Sequence, residues 1–280
     1  GNFYLFNFNL LNLRIKRMLE KNFMNKESIA QKFDVRNRVA LITGASEGIG
    51  HDLSLALSAA GATTIICSRN IKKLKNLELL IKGNGGKAFS YQIDVTQVNE
   101  IEKLKEYVLR DFNKLDILIN SAAYTINALA WDTTEDEWDK SVDTSFKGTF
   151  FCCTKLGEIM KNQGYGKIIN LSSTYAKATQ PTRSVYCGIK AGISHLTEAL
   201  AVEWGKYGIR INTLAPTAVK TPSREEYLKK HGQGTIDRVP LGRIAETDDL
   251  IGATIYLCSP ASDFVTGTTL FVDGGFVAHG

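Results

Sequence analysis

The chain has 280 residues, of which 44% are apolar and 22% charged, ordinary values for a globular protein of one large domain or two small ones, and we favour one. Because no apolar run reaches the ~20 residues of a membrane helix, and the net charge of +5 lies almost entirely in residues 1–37, we expect no membrane or nucleic-acid partner. The five cysteines contain no C-x-x-C pair and the four histidines no H-E-x-x-H spacing, which favours a reduced, cytoplasmic protein without a metal site.

An N-terminal arm, residues 1–35, differs from the rest of the chain. Its apolar stretch precedes its basic one, which is the reverse of the order in a secretory signal. Three interpretations stay open: sequence upstream of a true start at Met18 or Met24, a remnant of organelle targeting, or an arm that packs on the body or on a neighbouring chain. We expect residues 1–23 to be packed against another surface.

From residue 36 the pattern alternates between strands and helices. Strands are predicted over 39–43, 63–68, 88–93, 117–120, 167–172, 210–214 and 269–272, and helices over 49–60, 70–82, 97–112, 134–162, 185–206 and 247–258. Strands separated by helices form parallel βαβ units, which predicts an α/β fold with one doubly wound parallel sheet of about seven strands. The site then lies at the carboxyl ends of the strands, and the Pro- and Gly-rich residues 216–245 form a long, partly helical loop over it.

The sequence TGASEGIG at 43–50 lies between the first strand and the first helix. Gly44 lets the chain turn sharply, Gly48 lets the backbone approach a pyrophosphate, and Gly50 lets the helix pack on the strand. Unpaired amides at the helix start then face the phosphates. An ordinary glycine turn is the alternative, but the strand before and the helix after favour a dinucleotide site and a Rossmann-type sheet.

Tyr186 and Lys190 stand four residues apart in a predicted helix, which places both side chains on one face. An ammonium beside a phenol favours the phenolate and lowers the pKa of the phenol from ~10, so Tyr186 would serve as proton donor and acceptor. Ser173 lies thirteen residues before Tyr186 at a strand end, where its hydroxyl can donate to a substrate carbonyl. Each feature alone also suits a packed helix face or a strand-end turn, so the prediction depends on their combination.

Together these features resemble the short-chain dehydrogenase/reductase family over roughly residues 36–276. The matching segments are T-G-x-x-x-G-x-G at 43–50, D-V at 94–95, N-x-A at 120–122, the Ser and Y-x-x-x-K at Ser173, Tyr186 and Lys190, R-I-N-x-x-A-P at 210–216, and V-D-G-G at 272–275. The resemblance implies a catalytic domain over 36–280 with residues 216–245 as its substrate loop. It also implies that Tyr186 is the general acid/base, that Lys190 lowers its pKa and holds the ribose, and that Ser173 polarises the carbonyl.

The resemblance further implies a nicotinamide dinucleotide bound along the carboxyl edge of the sheet. The residues predicted to bind it are Gly44, Ser46, Gly48, Ile49, Gly50, Ser68, Arg69, Asp94, Val95, Asn120, Ala122, Tyr186, Lys190, Pro216, Val219 and Thr221. At the end of the second strand, where NAD enzymes commonly carry a carboxylate, the chain has Ser68 followed by Arg69, whose guanidinium suits a 2′-phosphate. Glu47 argues in the other direction, because NADP enzymes of the family often have a basic residue there. We favour NADP(H), with NAD(H) as the alternative.

Three positions depart from the family's pattern. Ala123 replaces a glycine near the nicotinamide, and Thr217 replaces the glycine that usually follows Pro216. Ser145 stands where the family's fourth catalytic residue, an asparagine, helps to hold a water in a proton relay from the lysine. We expect Ser145 to take this place in the relay and the protein to remain active.

The implied reaction is reversible hydride transfer between the nicotinamide and a secondary alcohol or ketone. E-W-x-x-x-G at 203–208 resembles sugar-acid and polyol members, including gluconate 5-dehydrogenases. A 3-oxoacyl-carrier-protein reductase is the alternative, although Val202 replaces the Arg often found in them, and a cofactor-binding protein with little turnover is an alternative of another class. Four basic residues either rim the pocket and suit an anionic substrate or form a solvated rim: Lys177, Arg183, Lys220 and Arg224.

The resemblance also implies a homotetramer or homodimer. Family members commonly pair the two long helices, here 134–162 and 185–206, and use the last strand for a second interface. Five apolar residues exceed what one packed helix face needs: Phe150, Phe151, Ile193, Leu196 and Leu200.

Overall fold

The computed structural model describes residues 25–279, so the predictions for residues 1–23 lie outside the described residues. The first described helix, α1 (Lys26–Lys32), begins at Asn25, whose side chain accepts a hydrogen bond from the Ser28 amide at 2.8 Å. It lies beside the turn Pro260–Ser262, and Val35 after it is 1% exposed and belongs to the core. Residues of the segment 25–35 therefore pack on the body.

Nine strands occur in the described residues. They are β1 (Val39–Thr43), β2 (Thr63–Ser68), β3 (Lys87–Gln92), β4 (Ile117–Asn120), β5 (Gly166–Leu171), β6 (Ile209–Pro216), β7 (Val219–Lys220), β8 (Ala245–Glu246) and β9 (Thr269–Val272). Seven form one parallel sheet in the order β3-β2-β1-β4-β5-β6-β9, and β7 pairs with β8. This confirms the predicted doubly wound sheet, and each predicted strand of the large sheet lies within two residues of the observed bounds.

Helices cover both faces of the sheet. After α1 they are α2 (Gly48–Ala59), α3 (Ile71–Gly83), α4 (Val98–Phe112), α5 (Glu135–Ser141), α6 (Gly148–Gln163), α7 (Ser184–Trp204), α8 (Glu225–Ile236) and α9 (Ile251–Cys258). Because successive strand residues point to opposite faces, Ala40 and Ile42 of β1 pack with α2, α3 and α9, whereas Leu41 packs with α4, α6 and α7. Among residues 25–279 no helix is both long and apolar enough to cross a membrane.

The helix predicted over 134–162 is interrupted. Between α5 and α6 the residues Val142–Lys147 form a π-helical stretch, a conformation often found at functional sites. Ser141 and Ser145 face the loop after β4, and both hydroxyls donate to the Tyr124 carbonyl, at 3.0 and 3.2 Å. This contact joins residues distant in sequence, so local periodicity does not reveal it.

Candidate active site

One cleft of about 1150 Å³ runs along the carboxyl edge of the sheet. Its walls come from the loops after β1 to β6 and from residues 216–238, with Phe276 near the C-terminus. In a parallel sheet all strands end at the same edge, so loops distant in sequence converge there. Residues 216–238 include the short strand β7, a 3-10 turn at Pro222–Arg224 and helix α8, a partly helical segment at the mouth of the cleft.

The glycine loop forms the floor of one end of the cleft. Gly44 has φ +67°, and a Cβ there would lie 2.7 Å from the backbone of Ala122, so only glycine fits. A Cβ on Gly50 would lie 2.5 Å from the Gly44 carbonyl oxygen, so Gly50 allows the helix to pack on the loop. Glu47, at the N-cap of α2, makes no side-chain cap hydrogen bond. The amides of the first turn of α2 are thus open to an anionic group, and the loop fits a dinucleotide pyrophosphate.

The predicted catalytic group lies further along the same cleft. Helix α7 places Tyr186 and Lys190 one turn apart, with the Lys190 Nζ 5.6 Å from the centroid of the Tyr186 ring. Lys190 Nζ donates to the Leu171 carbonyl oxygen at 2.7 Å. Ser173, just after β5, forms a hydrogen bond with the Tyr186 phenol, and its Oγ also accepts from the Tyr175 amide at 3.2 Å. Ser173, Tyr186 and Lys190 all line the cleft.

The pKa of the Tyr186 phenol corrects the expectation from sequence. Burial raises this pKa above its usual value, and the hydrogen bond with Ser173 and the charges of Arg224 and Arg183 offset only part of the rise. Lys190 was expected to lower the phenol's pKa, but its own ammonium is buried, which lowers the lysine pKa to about 8. Desolvation of both partners, which the i, i+4 spacing does not reveal, is the physical reason.

Ser145 is 2% exposed and is not among the residues that line the cleft. Its Oγ accepts from the Tyr124 amide at 3.0 Å and donates to the Tyr124 carbonyl, so one hydroxyl holds both polar groups of that residue. Its own carbonyl accepts from the Thr149 hydroxyl at 2.7 Å. The serine thus fastens the π-helical stretch to the loop after β4, and its neighbour Thr144 reaches the cleft.

Asn120 also lies behind the cleft wall. Its Nδ2 donates to Asn170 Oδ1 at 2.8 Å and to Cys153 Sγ at 3.2 Å, all among buried residues. Thr43 Oγ1 accepts from the Ala122 amide at 3.3 Å, which joins the loop after β4 to the glycine loop. The two loops therefore form one wall, in which Asn120 fixes the strand end and Ala122 lines the cleft.

The end of the cleft beyond β2 is basic. Ser68 and Arg69 line it as predicted, together with Lys72 and Lys73 of α3. Lys73 Nζ forms an ion pair with Glu47, the acid that argued against NADP(H). Lys73, which lines the same cleft, therefore offsets the negative charge of Glu47. Arg69 forms no ion pair within residues 25–279.

The structure brings most of the predicted site residues to one cleft, except Gly50, Asn120 and Ser145, which support its walls. Sequence reasoning missed several lining residues, namely Thr125, Asn127, Thr144, Tyr175, Gln180, Tyr227, His231, Arg238 and Phe276. No spacing pattern marks them, because Thr144 lies in the π-helical stretch and the others lie in loops, short turns or residues 216–245. The prolines and glycines of that segment were the one available signal.

Comparisons with known proteins agree with this geometry. A family model described as enoyl-(acyl carrier protein) reductase matches residues 44–277. The NAD-dependent glycerol dehydrogenase of Listeria innocua is 30% identical over 90% of this chain and 99% of its own length. The 3-oxoacyl-[acyl-carrier-protein] reductase FabG of Thermotoga maritima is 33% identical over 87% of this chain and 99% of its own. The crystal structure of a gluconate 5-dehydrogenase from Burkholderia cenocepacia with NADP and tartrate has a TM-score of 0.86 at 32% identity, over 89% and 99% of the two chains.

The chain belongs to the short-chain dehydrogenase/reductase family, as its motifs predicted. It is an NAD(P)-dependent oxidoreductase that acts on alcohol and ketone groups. The glycine loop, Tyr186 and Lys190 line a single cleft.

Proposed function

We propose that the chain is an NADP(H)-preferring oxidoreductase that interconverts a secondary alcohol and a ketone, of the polyol or sugar-acid type, in a catalytic domain over 36–280. One observation carries the proposal: the glycine loop and the three residues Ser173, Tyr186 and Lys190 line the same cleft. The names of the glycerol dehydrogenase and of the gluconate 5-dehydrogenase support this substrate type.

Each residue has one task in this mechanism. The bound nicotinamide supplies or accepts the hydride. The Ser173 hydroxyl donates to the substrate oxygen, and the Tyr186 phenol gives its proton to that oxygen in reduction and takes it back in oxidation. Lys190 holds the ribose and replenishes the proton, and its carbonyl contact with Leu171 fixes its position. The Ser145 hydroxyl holds the backbone of Tyr124 in place. We propose that it supports the proton relay in this way, from outside the cleft.

The preference for NADP(H) is argued from charges at the β2 end. Among the relatives, the glycerol dehydrogenase is NAD-dependent and the gluconate 5-dehydrogenase binds NADP, so the chain's own residues decide. Ser68 provides no carboxylate for a ribose hydroxyl, whereas Arg69, Lys72 and Lys73 surround the same place. A dianionic 2′-phosphate gains from Arg69 and Lys72, whereas a neutral hydroxyl does not, and Lys73 offsets the charge of Glu47.

Arg69→Ala is expected to weaken NADPH binding about ten- to a hundredfold while barely altering NADH binding, because a charge-assisted hydrogen bond contributes roughly 1.5–3 kcal/mol. Fluorescence titration of both cofactors measures the effect. Lys75→Ala is the matched control, since Lys75 lies in α3, the helix that follows Arg69, but pairs with Glu78 outside the cleft. Equal losses for the two cofactors would show that Arg69 does not recognise a 2′-phosphate.

A panel of ketones and alcohols with both cofactors tests the activity itself. Polyols and sugar acids represent the proposed class, and a 3-oxoacyl thioester represents the alternative, which the FabG relative supports. NADPH consumption with any ketone excludes the second alternative, a cofactor-binding protein with little turnover. Consumption confined to the thioester would replace the proposed substrate class with the carrier-protein one.

We also propose that the chain forms a homotetramer. Of the interface residues chosen from sequence, Ile193 and Leu200 are 1% and 4% exposed and pack inside the chain's own core, so they are unsuited to this role. Other large apolar side chains support the proposal better: Trp131 and Trp138 near an apolar groove between α5 and α7, and Val202 and Phe264 elsewhere on the surface.

Light scattering at micromolar concentration is expected to give four times the 30.9 kDa chain mass. Two separate surfaces generate a tetramer by closed symmetry, so removing one of them leaves a dimer. Trp138→Asp and Phe264→Asp are therefore each expected to give dimers, and the double variant monomers. A monomeric wild-type chain would refute the assembly.

A further inference from the structure

Three arginines line the cleft around and beyond Tyr186: Arg183, Arg224 and Arg238. None of them forms an ion pair with a carboxylate of residues 25–279, whereas Arg36, Arg38, Arg110 and Arg243 each do. The acids that line the cleft, Glu47 and Asp94, lie at its cofactor end. The substrate end of the cleft is therefore cationic with no internal counterion.

Arg183 is the most constrained of the three. It is only 6% exposed, and its buried Nε has no hydrogen-bond partner in the described structure. Burying an unpaired charge with an unmet donor is costly, and such groups are normally satisfied by a partner. Its guanidinium carbon lies 5.8 Å from the centroid of the Tyr186 ring. One small molecule can therefore contact both Arg183 and the phenol.

The backbone that carries Arg183 is strained. Thr182 has φ +67°, a left-handed conformation that a β-branched residue rarely adopts. Arg183 is the N-cap residue of α7, and its side chain, which has no acceptor to cap the helix amides, lines the cleft. Strain of this kind persists where the surrounding structure holds a functional group in place.

The other two arginines come from residues 216–245. Arg224 lies before α8, and Arg238 lies just after it. The guanidinium carbons of Arg183 and Arg224 lie 6.0 and 5.9 Å from the centroid of the Tyr227 ring. Arg238 stacks on Phe276 at 4.4 Å. Aromatic rings thus orient all three guanidiniums without neutralising them.

We propose that Arg183, Arg224 and Arg238 form an anion subsite, and that the substrate carries a carboxylate or phosphate a few atoms from the carbon that Tyr186 serves. The inference rests on the proposed function and narrows it, because it selects a hydroxy acid or phosphorylated sugar over a neutral polyol. An anion held between Arg183 and the α8 segment also gives residues 216–245 the role of a substrate loop. Guanidinium groups suit this task because they bind planar oxyanions in a bidentate manner.

Binding of a matched pair of small molecules tests the subsite directly. Tartrate and threitol share a four-carbon skeleton and both inner hydroxyls, and differ in carboxylates against hydroxymethyl groups. With NADP⁺ present, tartrate is expected to raise the melting temperature of the wild-type protein and to bind at least about tenfold more tightly than threitol in calorimetry. Inorganic phosphate as a third probe distinguishes a phosphate-selective site from a carboxylate-selective one.

Variants then assign the effect to the arginines. Arg224→Gln and Arg238→Gln are expected to weaken tartrate about tenfold each while leaving threitol unchanged. Arg183→Lys keeps the buried positive charge but loses the two parallel N–H donors of the guanidinium. The variant is therefore expected to fold and to bind tartrate more weakly than the wild type. Lys177→Ala removes a neighbouring positive charge that does not line the cleft, and it should bind tartrate like the wild type.

Two outcomes overturn the subsite: equal binding of tartrate and threitol by the wild type, or arginine variants that bind tartrate as Lys177→Ala does. Turnover in the ketone panel is measured separately. Turnover without arginine-dependent anion binding removes the subsite alone, whereas arginine-dependent binding without turnover on any ketone removes the proposed function and leaves the anion site in place.

Discussion

Tyr186→Phe is expected to lower kcat for ketone reduction by about a hundredfold or more, because positioned proton transfer contributes roughly 10²–10⁴ in rate. The substitution removes one hydroxyl and keeps the ring that packs 6.0 Å from Tyr175. The phenol faces Ser173 and not the glycine loop that is proposed to hold the pyrophosphate. NADPH binding should therefore stay nearly intact. Steady-state kinetics and cofactor titration together measure both quantities.

The matched control for this variant is Tyr175→Phe. Tyr175 is a second tyrosine of the same cleft, and its hydroxyl donates to Gln180 Oε1 at 2.5 Å rather than facing Ser173 Oγ. It should retain at least about ten times the activity of Tyr186→Phe. If Tyr186→Phe keeps more than about a tenth of the wild-type rate, a difference of only ~1.4 kcal/mol, Tyr186 is not the acid/base.

Lys190→Met is expected to lower kcat/KM roughly a hundredfold near neutral pH and to change the pH profile. Burial lowers the lysine pKa to about 8, so the wild-type ammonium is present below that pH and is lost above it. Burial raises the pKa of Tyr186, so the phenol keeps its proton through neutrality and reduction falls only as the pH becomes alkaline. The wild-type profile for reduction should therefore bend near pH 8, and the bend should disappear in Lys190→Met, leaving the tyrosine step at higher pH.

Profiles of log kcat/KM from about pH 6 to about pH 10 measure this change, and the apparent values belong to the coupled pair. Lys167→Met is the matched control, because Lys167 is also fully buried with a pKa lowered by burial, but it pairs with Asp263 at 2.9 Å. Its loss should reduce stability without changing the shape of the profile. A bend near pH 8 that persists in Lys190→Met would mean that another group causes it.

Much of the site could be predicted from the sequence, because its signals are local. Gly44, Gly48 and Gly50 mark a strand–turn–helix unit through their backbone freedom. Tyr186 and Lys190 share a face because a helix has 3.6 residues per turn. These features depend on the spacing of neighbouring residues and need no knowledge of the rest of the chain.

Other parts of the site were decided by the tertiary structure. Ser145 faces the backbone of Tyr124 rather than the cleft, and Lys73 accompanies Glu47, because residues distant in sequence were brought together. Arg238 and Phe276 reach the cleft from residues 216–245 and from the end of the V-D-G-G segment, where no local spacing marks these two side chains. A charge or a carbonyl meets its partner only after the chain has folded, so spacing alone cannot predict such contacts.

The sequence by itself determined the alternation of strands and helices, the order of the motifs, and the phenol, ammonium and hydroxyl that we propose perform the chemistry. Only the tertiary structure decided the direction of the Tyr186 pKa, the burial of Ile193 and Leu200, and the unpaired state of Arg183. The physical reason is that periodicity and turn chemistry act over a few residues along the chain. Desolvation and charge pairing depend on every group that surrounds an atom in space.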